Sequence, residues 1–289
     1  MPPAAKIDLP TDDNRDFSVS APDFAFLAGL VRTHTGIVLG PNKRSMVHSR
    51  LARRVRTLGL EGFGDYRRLL EGPEGDEELS AFINAMTTNL TRFFREPHHF
   101  DFLRDTALPQ IAAATPRRLR VWSAGCSSGE EPYSIAMTLS EHVPALGQWD
   151  ARILATDIDT SMVARGAAGV YGGDNVADIP GALRHKYFKP SGDSYRAADA
   201  LRQLIAFKPL NLLGEWPMKG AFDVIFCRNV MIYFDLPTKT RLVQRFASQL
   251  RPGGWLIVGH SETLLDQQAL YSPAGRTIYR LKADAPHAA

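Results

Sequence analysis

The fold of this chain is decided by the stretch RLRVWSAGCSSGEEP, residues 118–132. Its first seven residues form a short apolar run of the kind that a buried β-strand requires. A polar turn with two glycines follows, and residues 131–142 then have the composition of a helix. A strand that passes through a tight glycine turn into a helix predicts one β–α unit of an α/β fold.

Further strand patterns follow along the chain. They are ARILAT at 151–156, FDVIF at 222–226, WLIV at 255–258 and a last one at 277–282, which we expect near the sheet edge. Helical stretches are predicted between them at 161–167 and 237–250. Strands that alternate with helices indicate an α/β fold with a doubly wound, mostly parallel sheet that is covered on both faces.

The residues before this region have a different pattern. Apolar residues recur at helical spacing from Ser20, over 43–58, over 65–70 and again up to Met86. We therefore expect a disordered N-terminus at 1–19, a small all-helical domain at 20–87 and the α/β domain at 88–283. A small β insertion is predicted near 189–208, and a frayed tail at 284–289.

The overall composition excludes several classes of protein. A formal net charge of +3 is too small to indicate a general nucleic-acid binder. Cys126 and Cys227 cannot build a disulfide framework. No apolar run approaches the roughly 20 residues of a membrane span, and no signal core follows Met1. We expect a cytoplasmic protein that is not inserted in a membrane.

Polar clusters stand at three predicted strand ends, where an open α/β sheet binds its ligand. They are the glycine turn at 125–132, Asp157, and Cys227-Arg228-Asn229. Asp157 is placed to accept the two hydroxyls of a ribose, although it could also cap the next helix, for which Asp159 is better placed. The turn could equally be a plain strand-to-helix connection. Together the clusters favour an adenosine-bearing ligand, and they leave a nicotinamide cofactor and S-adenosylmethionine both open.

Six segments resemble the chemotaxis receptor methyltransferase (CheR) family, in family order from about residue 88 to the end. They are TNLTRFFRE (88–96), VWSAGCSSGEEPYS (121–134), ATDID (155–159), NLL (211–213), FCRNVMIYF (226–234) and GHSE (259–262). Matches of this length, repeated along the chain, are highly specific. The resemblance implies a seven-stranded sheet of the S-adenosylmethionine methyltransferase type, with S-adenosylhomocysteine as the product.

The resemblance also implies the site residues. Catalytic roles fall to Arg95 and to Tyr233 near the transferred methyl group. The cofactor contacts implied are Asn89, Thr91, Arg95, Glu130, Glu131, Asp157, Asn211, Leu212, Arg228 and Asn229. Of the adjacent acids Glu130 and Glu131, we favour Glu131 as the cofactor contact. We also favour the cofactor's carboxylate for Arg95, because pairing with the substrate oxygen would weaken the nucleophile. No metal site is predicted, since His98, His99 and His260 lack ligand spacing with cysteines or acids.

The implied activity is a protein-glutamate O-methyltransferase that forms glutamate methyl esters on a chemotaxis-type receptor. Glutamate has a reference pKa near 4.3 and is already ionised at neutral pH, so no general base is required. Two alternatives remain. One is a signalling protein that senses S-adenosylmethionine without catalysis, and the other is a nucleic-acid methyltransferase. The residues Cys227-Arg228-Asn229-Val230 stand where adenine-modifying enzymes commonly carry an Asp/Asn-Pro-Pro-aromatic stretch, which disfavours the second.

A basic helix at 43–60 suggests the partner. It contains no acid, and the residues predicted to bind the substrate are Arg50, Arg53, Arg54 and Arg56. Arg50 and Arg54, four residues apart, form a ledge of like charges that favours an external anion. A solvated basic face is the alternative. Nucleic acid is disfavoured because the cluster is short and has no interleaved aromatics, whereas the resemblance implies acidic cytoplasmic helices of a methyl-accepting chemoreceptor.

One segment departs from part of the family. Some members carry a small β-hairpin insertion that binds a peptide at the receptor's C-terminus. Residues 188–209 are shorter than the resemblance leads us to expect for those members, and they lack the glycine-rich turn. We therefore predict that this chain uses no C-terminal peptide tether.

Overall fold

The computed structural model describes residues 18–113, 117–218 and 220–283. Of the residues predicted to be disordered, 1–19, the first 17 lie outside the described part of the chain. The frayed tail predicted at 284–289 lies outside it as well. The chain divides into two compact units. One contains Leu39–Met86 and the described residues up to Leu30, and the other contains Val31–Val38 and the residues from Thr87 onward.

The first unit is all-helical. Its elements are α1 (Ala21–Thr35, of which the residues up to Leu30 belong here), a 3-10 turn (Pro41–Lys43), α2 (Arg44–Thr57), α3 (Phe63–Glu71) and α4 (Gly75–Met86). Ser20 begins α1, and its Oγ accepts a hydrogen bond from the Asp23 amide at 3.2 Å, as a capping residue should. Val47, Leu51 and Val55 of α2 are fully buried, which confirms the predicted apolar stripe.

The predicted ledge of Arg50 and Arg54 on α2 has partners inside the protein, so the repulsion from which we inferred an external anion is relieved internally. Arg54 donates from Nε to Glu78 Oε1 at 2.7 Å, and its Nη2 bonds the other oxygen of the same carboxylate. Tyr66 donates to that carboxylate as well, at 2.7 Å. Arg50 donates from Nη1 to the Met86 carbonyl at 2.5 Å. Both arginines therefore have partners inside their own unit, a buried carboxylate for Arg54 and a backbone carbonyl for Arg50.

The second unit is built on a seven-stranded sheet. Its strands in chain order are β1 (Arg118–Ala124), β2 (Asp150–Asp157), β6 (Ile205–Pro209), β7 (Phe222–Cys227), β8 (Leu250–Val258), β9 (Tyr271–Gly275) and β10 (Ile278–Leu281). The spatial order is β6-β2-β1-β7-β8-β10-β9. The first five are parallel to one another, and β10 is antiparallel to both β8 and β9. The predicted doubly wound, mostly parallel sheet is confirmed.

Helices supply the two layers that cover this sheet. They are α5 (His98–Phe102), a π turn (Leu103–Ala107), α6 (Leu108–Ala112), α7 (Glu130–His142), α8 (Thr160–Ala168), α9 (Gly173–Ala177), α10 (Gly181–Tyr187), α11 (Asp199–Arg202) and α12 (Leu236–Gln249). Successive strand residues enter opposite cores. Val121 packs in one core with α6 and α7, whereas Trp122 packs in the other with α12. Of the helices within the described ranges, none has the length and apolarity needed to span a membrane.

A second, smaller sheet contains the predicted β insertion. Its strands are β3 (Val170–Gly172), β4 (Phe188–Ser191) and β5 (Ser194–Ala197), antiparallel in the order β3-β5-β4. Gly192, at φ 60°, turns the hairpin between β4 and β5. The predicted range of 189–208 extends too far, because β6 pairs with β2 in the main sheet. The short β3, which ends 16 positions before β4 begins, is not predicted because three residues carry no periodic signal.

Candidate active site

A single cavity opens beyond the carboxyl ends of β1, β2 and β7. It holds about 950 Å³ of empty space, its open mouth included. All the predicted catalytic and cofactor residues line it except Glu130; they are Asn89, Thr91, Arg95, Glu131, Asp157, Asn211, Leu212, Arg228, Asn229 and Tyr233. Residues from six separate segments therefore meet at one sheet edge, where doubly wound folds bind their ligands.

The turn after β1 forms the floor of the cavity. Gly125 and Gly129 have φ values of 90° and 99°, and Ser127 between them also has a positive φ of 48°. A side chain at Gly125 would place its Cβ 2.3 Å from Val230 Cγ2, so glycine is required there on two grounds. The backbone of this turn can consequently approach a ligand closely.

Asp157 ends β2 with a carboxylate that is 9% exposed. Its Oδ2 accepts a hydrogen bond from the Ser127 amide at 2.8 Å, and its Oδ1 accepts one from the Asp159 amide at 2.9 Å. Burial raises the pKa of this carboxyl, against the two amide bonds that lower it. An ionised carboxylate has about four lone-pair sites, so roughly two remain for a ligand.

Asp159, rather than Asp157, caps α8. Its Oδ1 accepts from the amides of Ser161 and Met162, which confirms the sequence interpretation. Its other oxygen accepts from Asn89 Nδ2 at 2.7 Å and from Thr87 Oγ1 at 2.8 Å. Asn89 is thus held by an acid that our prediction treated only as a cap, and this acid fixes the segment at 87–89 along one wall of the cavity.

The two acids at the start of α7 have different surroundings. Glu131 lines the cavity, accepting from Ser123 Oγ at 2.7 Å and from Arg228 Nη1 at 3.0 Å. Burial raises its pKa, and the charge of Arg228 opposes the rise. Glu130 is 1% exposed and accepts from Ser128 Oγ at 2.7 Å, away from the cavity lining. Glu130 therefore does not line the cavity, and its carboxylate is bonded to the turn; a cofactor contact by Glu130 stays a prediction.

Arg228 is the centre of a buried charge network. Its side chain is 3% exposed and lies 3.0 Å from Glu131 and 3.4 Å from Glu96. Nη2 also donates to the Arg95 carbonyl, and the guanidinium lies over the Phe100 ring, 5.8 Å from its centroid. Arg228 lines the cavity as predicted, yet its donors are directed mostly into the protein. It ties the end of β7 to α7 and to the segment that carries Arg95.

Two histidines, His99 and His260, contact Glu96 in this network. His99 is fully buried, with Nε2 2.9 Å from Thr277 Oγ1 and Nδ1 3.5 Å from Glu96. Burial and the nearby charge of Arg228 lower the pKa of His99 to about 3. Burial alone would raise the pKa of Glu96, but the hydrogen bond from His260 and the charge of Arg228 outweigh it and lower the pKa to about 2.

We expect mild acid to destabilise this network through His99. The native pKa of His99 lies below its unfolded value of about 6.5, so stability falls as the pH drops below 6.5. Between pH 7.5 and 5.5 the loss is about 1.4 kcal/mol, or roughly 2–4 °C in melting temperature. Melting followed by circular dichroism at the two pH values measures it. His99→Gln, which cannot titrate, is the control, and an equal shift in both proteins would show that another group is responsible.

Arg95 and Tyr233 face the cavity with partial exposure. Arg95 donates from Nη1 to the Leu90 carbonyl at 2.8 Å, which closes a short loop over Thr91. Tyr233 follows Asn229, which has a left-handed φ of 58°, through a single 3-10 turn. Unlike Arg228, Arg95 makes no ion pair that the structure shows within the described residues, so its guanidinium is available to a ligand.

Glu262 organises the β7 loop and was missed as a site residue. Its carboxylate is 6% exposed and accepts four backbone amides, at distances of 2.6–3.2 Å. The donors are Gly259, Asn229, Val230 and Ile232. Glu262 lies in the matched GHSE segment, but only the fold shows that its side chain reaches a loop some thirty residues earlier.

Arg245 holds the turn at 211–214 in place and was also missed as a supporting residue of the site. Its guanidinium donates to the carbonyls of Leu212 at 2.7 Å and Gly214 at 2.6 Å, and it stacks on Trp216 at 3.9 Å. The Asn211 side chain donates to the His34 carbonyl at 2.6 Å and accepts from the Leu213 amide at 2.9 Å. The turn at 211–214 is therefore held from both sides, which keeps Leu212 in the cavity lining.

Comparison with known proteins agrees with this geometry. Residues 22–87 match the CheR methyltransferase all-alpha domain, and residues 89–280 match the CheR methyltransferase SAM binding domain. The chain belongs to the CheR methyltransferase family. It is accordingly a methyltransferase, and it carries the S-adenosylmethionine-binding domain of the CheR family.

Several CheR relatives are similar over most of their length. The chain is 42% identical to a probable chemotaxis protein methyltransferase of Rhizobium etli, over 87% of this chain and 96% of the relative. It is 43% identical to chemotaxis protein methyltransferase 2 of Pseudomonas aeruginosa, over 93% and 96%. It is 41% identical to the chemotaxis protein methyltransferase of Escherichia coli, over 92% and 93%.

Proposed function

We propose that this chain transfers a methyl group from S-adenosylmethionine to glutamate side chains of a chemotaxis-type receptor, forming glutamate methyl esters. The observation that carries the proposal is a cavity lining without a general base. Among its described residues there is no histidine or lysine. Its two acids, Asp157 and Glu131, already accept hydrogen bonds from Ser127 and Arg228. A carboxylate acceptor suits such a site, because it arrives ionised at neutral pH.

The lining fits the proposed cofactor group by group. The unused lone pairs of Asp157 suit two ribose hydroxyls, and Glu131 suits a cationic amino group. Leu210 and Leu212 offer an apolar wall to adenine. Arg95 suits the carboxylate of the methionine end, since a guanidinium fork binds carboxylates bidentately.

The protein's task in this reaction is positioning. When bound, S-adenosylmethionine supplies a methyl group on a positively charged sulfur, and S-adenosylhomocysteine is the product. The glutamate oxygen already carries the electron pair for the new bond, so no side chain has to remove a proton. Arg95 and Tyr233 hold the reactants in line and exclude water, and alignment alone contributes about 7–11 kcal/mol of barrier lowering.

Transfer of a labelled methyl group tests the proposal. The purified protein is incubated with methyl-labelled S-adenosylmethionine and a receptor fragment that contains its cytoplasmic helices. We expect label on the fragment that is lost in mild base, as an ester requires. Base-stable label on the fragment would indicate nitrogen methylation. Label on nucleic acid, supplied in place of the fragment, would indicate a nucleic-acid methyltransferase. Cofactor binding without any transfer would indicate a sensor.

The proposed partner surface is the exposed part of α2. Arg53 and Arg56 are exposed, and Arg53 has no side-chain partner that the structure shows within the described ranges. Its charge is therefore available to an acidic, glutamate-rich helix, whereas Arg50 and Arg54 are engaged within their unit. A short cationic stripe of this kind speeds association with an anionic surface and weakens as salt rises.

Charge reversal on α2 should weaken receptor recognition more than catalysis. We expect Arg53→Glu to raise the KM for the receptor fragment about three- to tenfold at low salt and to change kcat by less than twofold. The effect should shrink as salt rises, because screening removes the wild-type advantage. Steady-state methylation across a salt series measures both. Lys282→Glu, the same reversal at an exposed site in the other unit, is the matched control.

The absence of a peptide tether remains a prediction. Deleting the last residues of the receptor should leave methylation by this chain unchanged. A large rise in KM on that deletion would contradict it and would assign the hairpin of β4 and β5 a binding role.

A further inference from the structure

Exposed aliphatic side chains are unevenly distributed over the described residues. Five large hydrophobic residues are exposed, and one of them, Leu58 at 36%, belongs to the first unit. The other four belong to the second unit, and their exposed fractions are 46% for Val38, 80% for Leu90, 44% for Ile232 and 63% for Leu236. Single exposed leucines are ordinary, but four of them in one place indicate a binding surface.

These four residues, here termed the aliphatic rim, border the cavity. Leu90 lines it directly. Ile232 precedes Tyr233, a lining residue, and the Val38 amide donates to the Tyr233 carbonyl at 3.0 Å. Leu236 follows two residues after Phe234, which also lines the cavity. The rim is therefore continuous with the mouth of the site.

The backbone beneath the rim is fixed in place. The Ile232 amide donates to Glu262 Oε1 at 3.2 Å. Beside Leu90, the Asn89 side chain is bonded to Asp159 and its carbonyl accepts from Ser127 Oγ at 3.0 Å. The Leu90 carbonyl accepts from Arg95. Aliphatic side chains are thus held in solvent by an ordered frame, which lowers the entropic cost of covering them.

We propose that the aliphatic rim is the docking surface for the substrate segment that carries the methyl-accepting glutamate. The segment presents aliphatic side chains on the same helix face as that glutamate, three or four residues away. This inference rests on the proposed function and adds an apolar recognition element to the basic one on α2. A carboxylate that enters the cavity beside Leu90 brings its nearest neighbours in the substrate against these side chains. Covering them also excludes water from the mouth of the cavity. An anionic nucleophile benefits when its water shell is removed.

The test uses Ile232→Ser and Leu236→Ser, alone and together, because neither residue lines the cavity. We expect the double variant to raise the KM for the receptor fragment about tenfold or more, since truncating two buried aliphatic contacts weakens binding by about that factor. Affinity for S-adenosylhomocysteine, measured by calorimetry, should stay within twofold. The KM increase should persist at high salt, unlike that of Arg53→Glu. Lys282→Ser, which truncates an exposed side chain that neither lines the cavity nor belongs to the rim, is the control, with unchanged KM.

A substrate-side change completes the test. Replacing the aliphatic neighbours of the methylated glutamate by serine should raise KM for the wild-type enzyme and have little further effect on the double variant. An unchanged KM in the double variant, or a parallel loss of S-adenosylhomocysteine affinity, overturns the rim as a docking surface. Failure of the proposed function looks different, because the wild-type enzyme would then form no base-labile ester at all.

Discussion

Replacement of Arg228 by methionine is expected to lower the free energy of unfolding by about 3–5 kcal/mol. The substitution keeps much of the volume but removes the charge that lies 3.0 Å from Glu131 and 3.4 Å from Glu96. Glu131 would then be buried without its cation, and would have to carry an unpaired charge or take up a proton. Denaturant unfolding of the wild type and the variant measures the loss, and transfer activity should fall with it because the Arg95 carbonyl loses its donor.

A double-mutant cycle separates the effect of the missing positive charge on stability from the effect of lost packing. Glu131→Gln in the Arg228→Met background removes the stranded charge, so we expect it to recover a measurable part of the stability. The same change in the wild-type background should destabilise the protein, because it breaks the pair from the other side. Additive losses in the double variant would show that the two side chains are not coupled, contrary to the geometry.

Replacement of Arg95 by alanine is expected to lower kcat by about 100-fold or more while the fold persists. Arg95 lines the cavity and is partly exposed, and within the described residues its side chain donates to the Leu90 carbonyl alone, at 2.8 Å, so little stability depends on that side chain. Its proposed role is to hold a carboxylate and keep the reactants in line. Single-turnover methyl transfer gives the rate, and thermal melting gives the stability.

Arg95→Lys distinguishes charge from shape. Lysine retains the positive charge but cannot form the two parallel bonds of a guanidinium, so we expect it to restore only a small part of the lost rate. Calorimetry with S-adenosylhomocysteine assigns the partner, since weakened binding in both variants indicates the cofactor's carboxylate. Near-normal turnover in Arg95→Ala would remove Arg95 from the catalytic centre.

The parts of the site that were predicted are those with a local signature. The strands β1, β2 and β7 are apolar runs that stop abruptly, so the clusters at Gly125, Asp157 and Arg228 could be placed at their ends from pattern alone. Parallel strands bring such ends together, which is why residues more than a hundred positions apart could be assigned to one cavity. The family resemblance added the chemistry and the walls at Asn89 and Asn211.

The supporting residues had no such signature. Glu262 and Arg245 bond backbone groups, and a backbone amide or carbonyl looks alike at every position of a sequence. Glu130 and Glu131 are adjacent and chemically identical, so their division between turn and cavity depends on which side of α7 each one faces. The internal pairing of Arg54 was not predicted because Glu78, its partner, lies 24 residues away on another helix.

By itself, then, the order of apolar runs and glycine turns determined the layered architecture, the edge at which a ligand binds and the residues placed there. Those features arise from local periodicity and from the rule that parallel strands share an end. Only the tertiary structure decided which charged side chains form pairs inside the protein and which face a ligand or partner. Pairing depends on distances between side chains that are remote in the chain, and burial multiplies the energy of each such pair.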